Sequence, residues 1–184
     1  MPNMPNRLRA VAAVALPLTV PVVLRAQAPA RPAVAEGGRM ATVTAEDPTG
    51  ATHTVSFETP GYTMVGVTDA SHKTALSQWF QLTADASDSA GAARYAIVSL
   101  PDVPGFIRGS IRSSFNHPGH VRYLLDWGGG VTQSLSGGTL PMLILVSPGG
   151  AVARVFTGAP DSSRVQNLRT ALGTRPTGST SASR

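Results

Sequence analysis

Leu140-Pro-Met-Leu-Ile-Leu-Val-Ser-Pro-Gly-Gly-Ala-Val-Ala-Arg-Val-Phe-Thr-Gly158 is the stretch whose reading decides the fold. Met142 to Val146 is an unbroken apolar run of strand length, which predicts a buried strand. Pro148-Gly149-Gly150 signals a turn, so Ala151 to Phe156 is expected to return as the antiparallel partner. Beyond Gly158, Asp161 is placed to cap a helix on which Val165, Leu168 and Leu172 recur at i, i+3 and i+7. Gly173 is a stop signal for that helix.

Working back toward the N-terminus, strand and helix signals alternate. Ala41–Thr44 and Thr52–Phe57 alternate in polarity around Asp47-Pro48-Thr49-Gly50, which predicts a hairpin. Tyr62–Val67 reads as a more buried strand. The helix after it is capped by Asp69 or Ser71, with Leu76, Trp79 and Phe80 as its core stripe, and it should end within residues 85–91. Tyr95–Leu100 is a second buried strand. Asp102 is placed to cap the next helix, Pro104 suits its first turn, and Ile107, Ile111 and Phe115 line one side. Val121–Trp127 is a third strand, and the glycines 128–130 lead into a short helical piece ending near Leu135. Strands that alternate with helices imply a sheet covered on both faces.

The two ends differ in kind from this middle. Arg7 and Arg9 precede an apolar run from Ala10 to Leu24, followed by Arg25-Ala26-Gln27-Ala28. A basic start, a short apolar middle and an Ala-x-Ala site predict a signal peptide over residues 1–28. The run of about 15 residues is shorter than the roughly 20 that span a bilayer as a helix. The alternative is an uncleaved N-terminal anchor; after cleavage no membrane span is expected. Residues 29–39 have a Pro/Ala/Gly linker composition, and residues 173–184 are polar enough to be read as a disordered tail. The domain proper is expected over residues 40–172.

Composition narrows the function. Of 15 basic and 10 acidic residues, three basic ones and no acid fall in the signal segment, leaving 12 against 10, a net charge of +2. The remaining arginines form no stripe, so no nucleic-acid partner is expected. Export leads to an oxidising compartment that permits disulfides, yet the chain has no cysteine. Packing alone must then stabilise the domain.

In order and spacing, the proline-started strand, glycine turn, returning strand, Gly158 and capped last helix resemble the thioredoxin-like superfamily. The resembling form has an N-terminal hairpin and is shared by peroxiredoxins and periplasmic thioredoxin-like reductases. The resemblance implies an α/β fold with a central mixed sheet flanked by helices. It places Pro141 where the family carries a cis-proline bordering its active-site groove. It also implies that the family's chemistry would sit at the helix start after the first central strand, here Val67-Thr-Asp-Ala-Ser-His-Lys-Thr-Ala75.

That stretch departs from the family. His72 to Ala75 stand where the reductases have Cys-x-x-Cys, and no register restores a cysteine. Thiol–disulfide exchange requires a thiolate, so none is expected. Peroxiredoxins use Pro-x-x-x-Thr-x-x-Cys; here Thr68-Asp-Ala-Ser71 puts serine in the cysteine's place and Met64 in the proline's. The resemblance thus implies a redox-inactive module that binds a peptide or an envelope protein in the periplasm or outside the cell. Its candidate groove comprises Thr68, Asp69, Ser71, His72, Leu140 and Pro141. No cofactor is called for.

Two other readings stand beside it. One is a cysteine-free enzyme using Asp69, Ser71 and His72, which needs a base within hydrogen-bond reach of the hydroxyl. The other is a metal site at His117 and His120, although a stable site takes three or four ligands. Asp126-Trp127 before the glycines reads as a turn device. No Gly-x-Ser-x-Gly elbow and no P-loop are present.

Overall fold

A computed structural model describes residues 34–116 and 119–173. The segment read as a signal peptide, His117 and the tail after Gly173 lie outside the described residues. The strands are β1 (Val43–Glu46), β2 (Thr52–Val55), β3 (Thr63–Asp69), β4 (Ala93–Ser99), β5 (Val121–Asp126), β6 (Met142–Val146) and β7 (Val152–Thr157). The helices are α1 (Lys73–Leu82), α2 (Ala84–Ser89), α3 (Arg108–Phe115), α4 (Gly130–Ser136) and α5 (Ser162–Gly173).

All seven strands form one mixed sheet in the order β2-β1-β5-β4-β3-β6-β7. β3, β4 and β5 run parallel, and β6 runs antiparallel to both β3 and β7. The apolar run at Met142–Val146 is buried throughout because it lies inside the sheet with helices or loops over both faces. Alternation sends Val65, Val67, Ile97, Met142 and Ile144 to one face, where Met40, Phe57 and Leu135 cover them. Met64, Ala96, Leu143 and Leu145 point to the other, under Leu76, Trp79, Phe80 and Leu168.

The hairpin turn is pinned by Asp47. Its Oδ1 accepts from the backbone N–H groups of Thr49 (2.8 Å) and Ala51 (3.0 Å), and Oδ2 meets His53 Nε2 at 2.8 Å. The hairpin meets β5 at a single register pair, Glu46 with Leu125. There Glu46 Oε1 accepts from Arg112 Nε (2.7 Å) and Trp127 Nε1 (2.9 Å), tying hairpin, α3 and β5 together. Residues 34–39, within the stretch read as a linker, run against β7: Gly37 N–H donates to Val152 C=O, and Arg39 bridges Ala151.

Three local expectations are corrected. The first helix does not simply end within residues 85–91. It stops at Leu82, and α2 follows directly, because the backbone of buried Thr83 leaves helical geometry at φ −116°, ψ 9°. Asp102 does not cap the next helix. That helix begins as a 3₁₀ turn at Gly105–Ile107 after Pro104, and neither the turn nor α3 has a side-chain cap. Its stripe of Ile107, Ile111 and Phe115 is only partly covered, and α3 has no fully buried residue.

Candidate functional site

The carboxyl ends of the parallel strands share one edge of the sheet, and β6 starts there because it runs the other way. Val67 pairs with Met142. Continuing that register sets Pro141 opposite Thr68, so the two sequence segments named as the groove do meet. The Leu140–Pro141 peptide is cis. Pro141 C=O accepts from Gly158 N–H at 2.8 Å, which fixes the strand start against the end of β7. Leu140 is half-buried, and its own N–H and C=O have no partner among the described residues.

Across the edge, Asp69 organises the entry to α1. Its Oδ1 accepts from Ser71 N–H (2.9 Å), His72 N–H (2.9 Å) and the His72 imidazole Nδ1 (2.7 Å). Asp69 thus pins the turn before the helix, but neither it nor Ser71 caps α1, whose N-cap is His72 with no side-chain cap, contrary to the expectation from sequence. Partial burial pushes the Asp69 carboxyl up. The His72 ring and the two backbone donors outweigh it and hold the group below the usual carboxylate range. Thr68 is buried, with its hydroxyl turned onto Asp69 C=O at 3.2 Å.

Ser71 is exposed and its hydroxyl makes no hydrogen bond to His72. The only ring nitrogen of His72 with a partner is the one held by Asp69. This is an oriented imidazole without a nucleophile in hydrogen-bond reach, so the arrangement does not form the base–hydroxyl pair that the enzyme reading requires. Among the described residues no group of three His, Cys, Asp or Glu side chains could hold a metal ion, and His117 lies outside them.

No family model and no curated protein sequence matches the chain. Solved structures do. A putative thiol:disulfide interchange protein DsbE from Chlorobium tepidum superposes over 76% of this chain and 99% of its own, with TM-score 0.57 and 19% identity. A putative protein disulfide isomerase from Bacteroides thetaiotaomicron gives TM-score 0.56 and 17% identity, covering 76% of this chain and 91% of its own. A peroxiredoxin-like protein from Aquifex aeolicus gives 0.51 and 15%, covering 78% and 90%. The fold is thioredoxin-like. At these identities the likeness is one of fold alone. This thioredoxin-like chain has no cysteine anywhere in its sequence, so it supplies no thiolate.

Sequence reasoning passed over two features of this thioredoxin-like domain. Asp126, read as a turn device, is buried at the end of β5 and accepts from Thr132 N–H (2.7 Å), holding the start of α4. Trp127 is flanked by two guanidinium groups, Arg108 at 4.9 Å and Arg112 at 5.8 Å from its ring centre. Glu46, Arg112 and Trp127 lie far apart in sequence, and no local pattern joins them. Among the described residues no helix is long and apolar enough to cross a membrane.

Proposed function

We propose that the chain is an exported, thiol-free binding module that holds an extended peptide segment of an envelope protein. The binding edge lies between Leu140–Pro141 and the Asp69–His72 turn. The observation that carries this reading is the unpaired backbone of Leu140 beside cis Pro141, at the open end of β3. An extended segment laid there satisfies both groups by strand addition, with affinity from main-chain hydrogen bonds. Exposed Ser71 and His72 border the edge, with His72 oriented by Asp69. Export rests on the basic, apolar and Ala-x-Ala order of residues 1–28.

The test is capture from an envelope extract by the protein and by two variants. Ser71→Trp crowds the edge; Thr54→Trp places the same bulk on exposed β2, at the far side of the sheet. Partners should be retained by Thr54→Trp and lost with Ser71→Trp. Equal capture by both variants removes the edge from the mechanism. N-terminal sequencing of the protein recovered outside the cytoplasm should begin at Pro29.

A further inference from the structure

The chain contains one lysine, Lys73, the first residue of α1. Its side chain lines two adjoining clefts on the face of the sheet that carries α1 and α3. One, of about 480 Å³, lies between these helices and is lined by Leu76 and Phe80 of α1, Ala96 and Val98 of β4, and Phe115 and Tyr123. The other, of about 430 Å³, shares Lys73, Phe115 and Tyr123 and continues toward Val121 and His120.

The gap has a structural cause. α1 lies close to the sheet because Gly66 beneath it has no side chain, and Ala96 beside it has only a methyl group. α3 stands off, with no residue fully buried. Ala96 and Val98 at the base are nearly sealed, 1% and 3% exposed, so the accessible apolar surface between the two helices is the side wall. The Phe115 and Tyr123 rings, 5.2 Å apart and inclined at 50°, make that wall.

The electrostatics are one-sided. No carboxylate lines either cleft, and Lys73 has no ion-pair partner among the described residues. The polar groups at the rim, Thr74, Ser77, Gln78 and Gln81, are neutral. An apolar space of this size with a few convergent polar groups is the usual form of a small-molecule site. A lysine covers apolar surface with its stem and holds its ammonium at the water boundary.

We propose that this cleft binds a free amphipathic organic anion, a single-chain carboxylate of medium length. The chain lies against the half-exposed Phe115–Tyr123 wall, and the head group meets Lys73 at the mouth. The cleft adjoins the Leu140–Pro141 edge at Thr68, but its Phe115–Tyr123 wall is no part of that edge, and the proposal does not depend on the peptide reading.

The single lysine makes the test direct. Reductive methylation with ¹³C-formaldehyde labels Lys73 and the N-terminal amine, and Lys73→Met identifies the lysine signal by its loss. Decanoate below its micelle concentration should shift that signal saturably in the full chain. Titration calorimetry then compares decanoate, decanol and decyltrimethylammonium. Lys73→Met keeps the apolar stem and should weaken decanoate about two- to fivefold, the range of a solvent-accessible ion pair, while leaving decanol unchanged. Ser77→Phe, at an exposed rim position, should weaken both. Ser71→Trp should leave decanoate binding intact, which separates this site from the peptide edge. The proposal is overturned by an unsaturable or absent shift, by equal affinity for decyltrimethylammonium, or by decanoate affinity unchanged in Lys73→Met.

Discussion

Gly66 is the position at which a single methyl group tests how closely α1 is seated. It lies in the centre of β3, paired with Ala96 on one side and Leu143 on the other. A Cβ there would stand 2.4 Å and 2.8 Å from the two Leu76 methyls and 3.0 Å from the Phe80 ring. Carbon atoms settle at roughly 3.5–4.0 Å, so α1 must rise by about 1 Å or Leu76 must leave its rotamer. Both Leu76 methyls are in the way, and the residue is buried, so a simple side-chain flip does not relieve the contact. Overpacking of this kind costs about 1–3 kcal/mol. The reduced freedom of alanine in the unfolded chain offsets about 0.4–1 kcal/mol of that. Gly66→Ala should therefore lose about 1–2 kcal/mol, read as a fall in Tm of roughly 3–10 °C for a domain of this size. The mechanism is checked by a double-mutant cycle. Leu76→Ala alone should cost about 2–5 kcal/mol through the cavity it leaves. In the Gly66→Ala background it should cost at least about 1 kcal/mol less, because the new methyl fills that cavity. Strict additivity, or a Tm that rises in Gly66→Ala, would refute the close seating of α1.

Acid should destabilise the fold through carboxylates held below their usual range. The Thr49 hydroxyl is the largest cause at Asp47, partial burial opposes it, and His53 and the backbone donors add to it, bringing the group to about 2. At Glu46 the leading cause is the Arg112 guanidinium. A depressed carboxylate contributes stability that is complete above its unfolded value of about 4 and lost as pH falls through its folded value. The urea midpoint should therefore drop between about pH 4 and pH 2, and Asp47→Asn should flatten that drop; an unchanged slope would remove Asp47 from the cause. Trp79 is fully buried, and its indole N–H donates to Gly158 C=O at 2.9 Å, across 79 residues of sequence. Trp79→Phe should cost about 1–3 kcal/mol from the unpaired carbonyl alone, measured by urea unfolding followed through Trp127 emission.

The elements that were legible in sequence are those whose burial is total or whose caps are local. Met142–Val146 is apolar at every position because both faces are covered, and the Pro-Gly-Gly turn allows only a short return. Asp161 caps α5 as its spacing implies, accepting from Arg164 N–H at 2.9 Å. The failures share another cause. The break at Thr83 is a local change of backbone at a buried residue between two helices, and polar composition there looked only like a helix ending. The weak start of α3 follows from a 3₁₀ turn after Pro104 that left Asp102 without a helix to cap. At the candidate site, a polar role for Asp69 was readable because its partners are two and three residues on, but it pins the turn before α1 rather than capping the helix. The significance of Lys73 was not, since its cleft is built by α3 and β5 some 40 residues or more away.

The sequence by itself determined the alternation of strands and helices and the lack of any thiol. It also determined the proline-led strand that gives the resemblance its specificity. These follow from composition and from periodicities of two and 3.6, which act over a few neighbouring residues. Only the tertiary structure decided that Pro141 adopts the cis form opposite the end of β3, or that Glu46 ties the hairpin to α3 and Trp127. It alone decided that α1 and α3 part to leave an apolar cleft beside the one lysine. Each depends on strand register or helix seating between distant segments, where contact is set by the packing of the whole sheet.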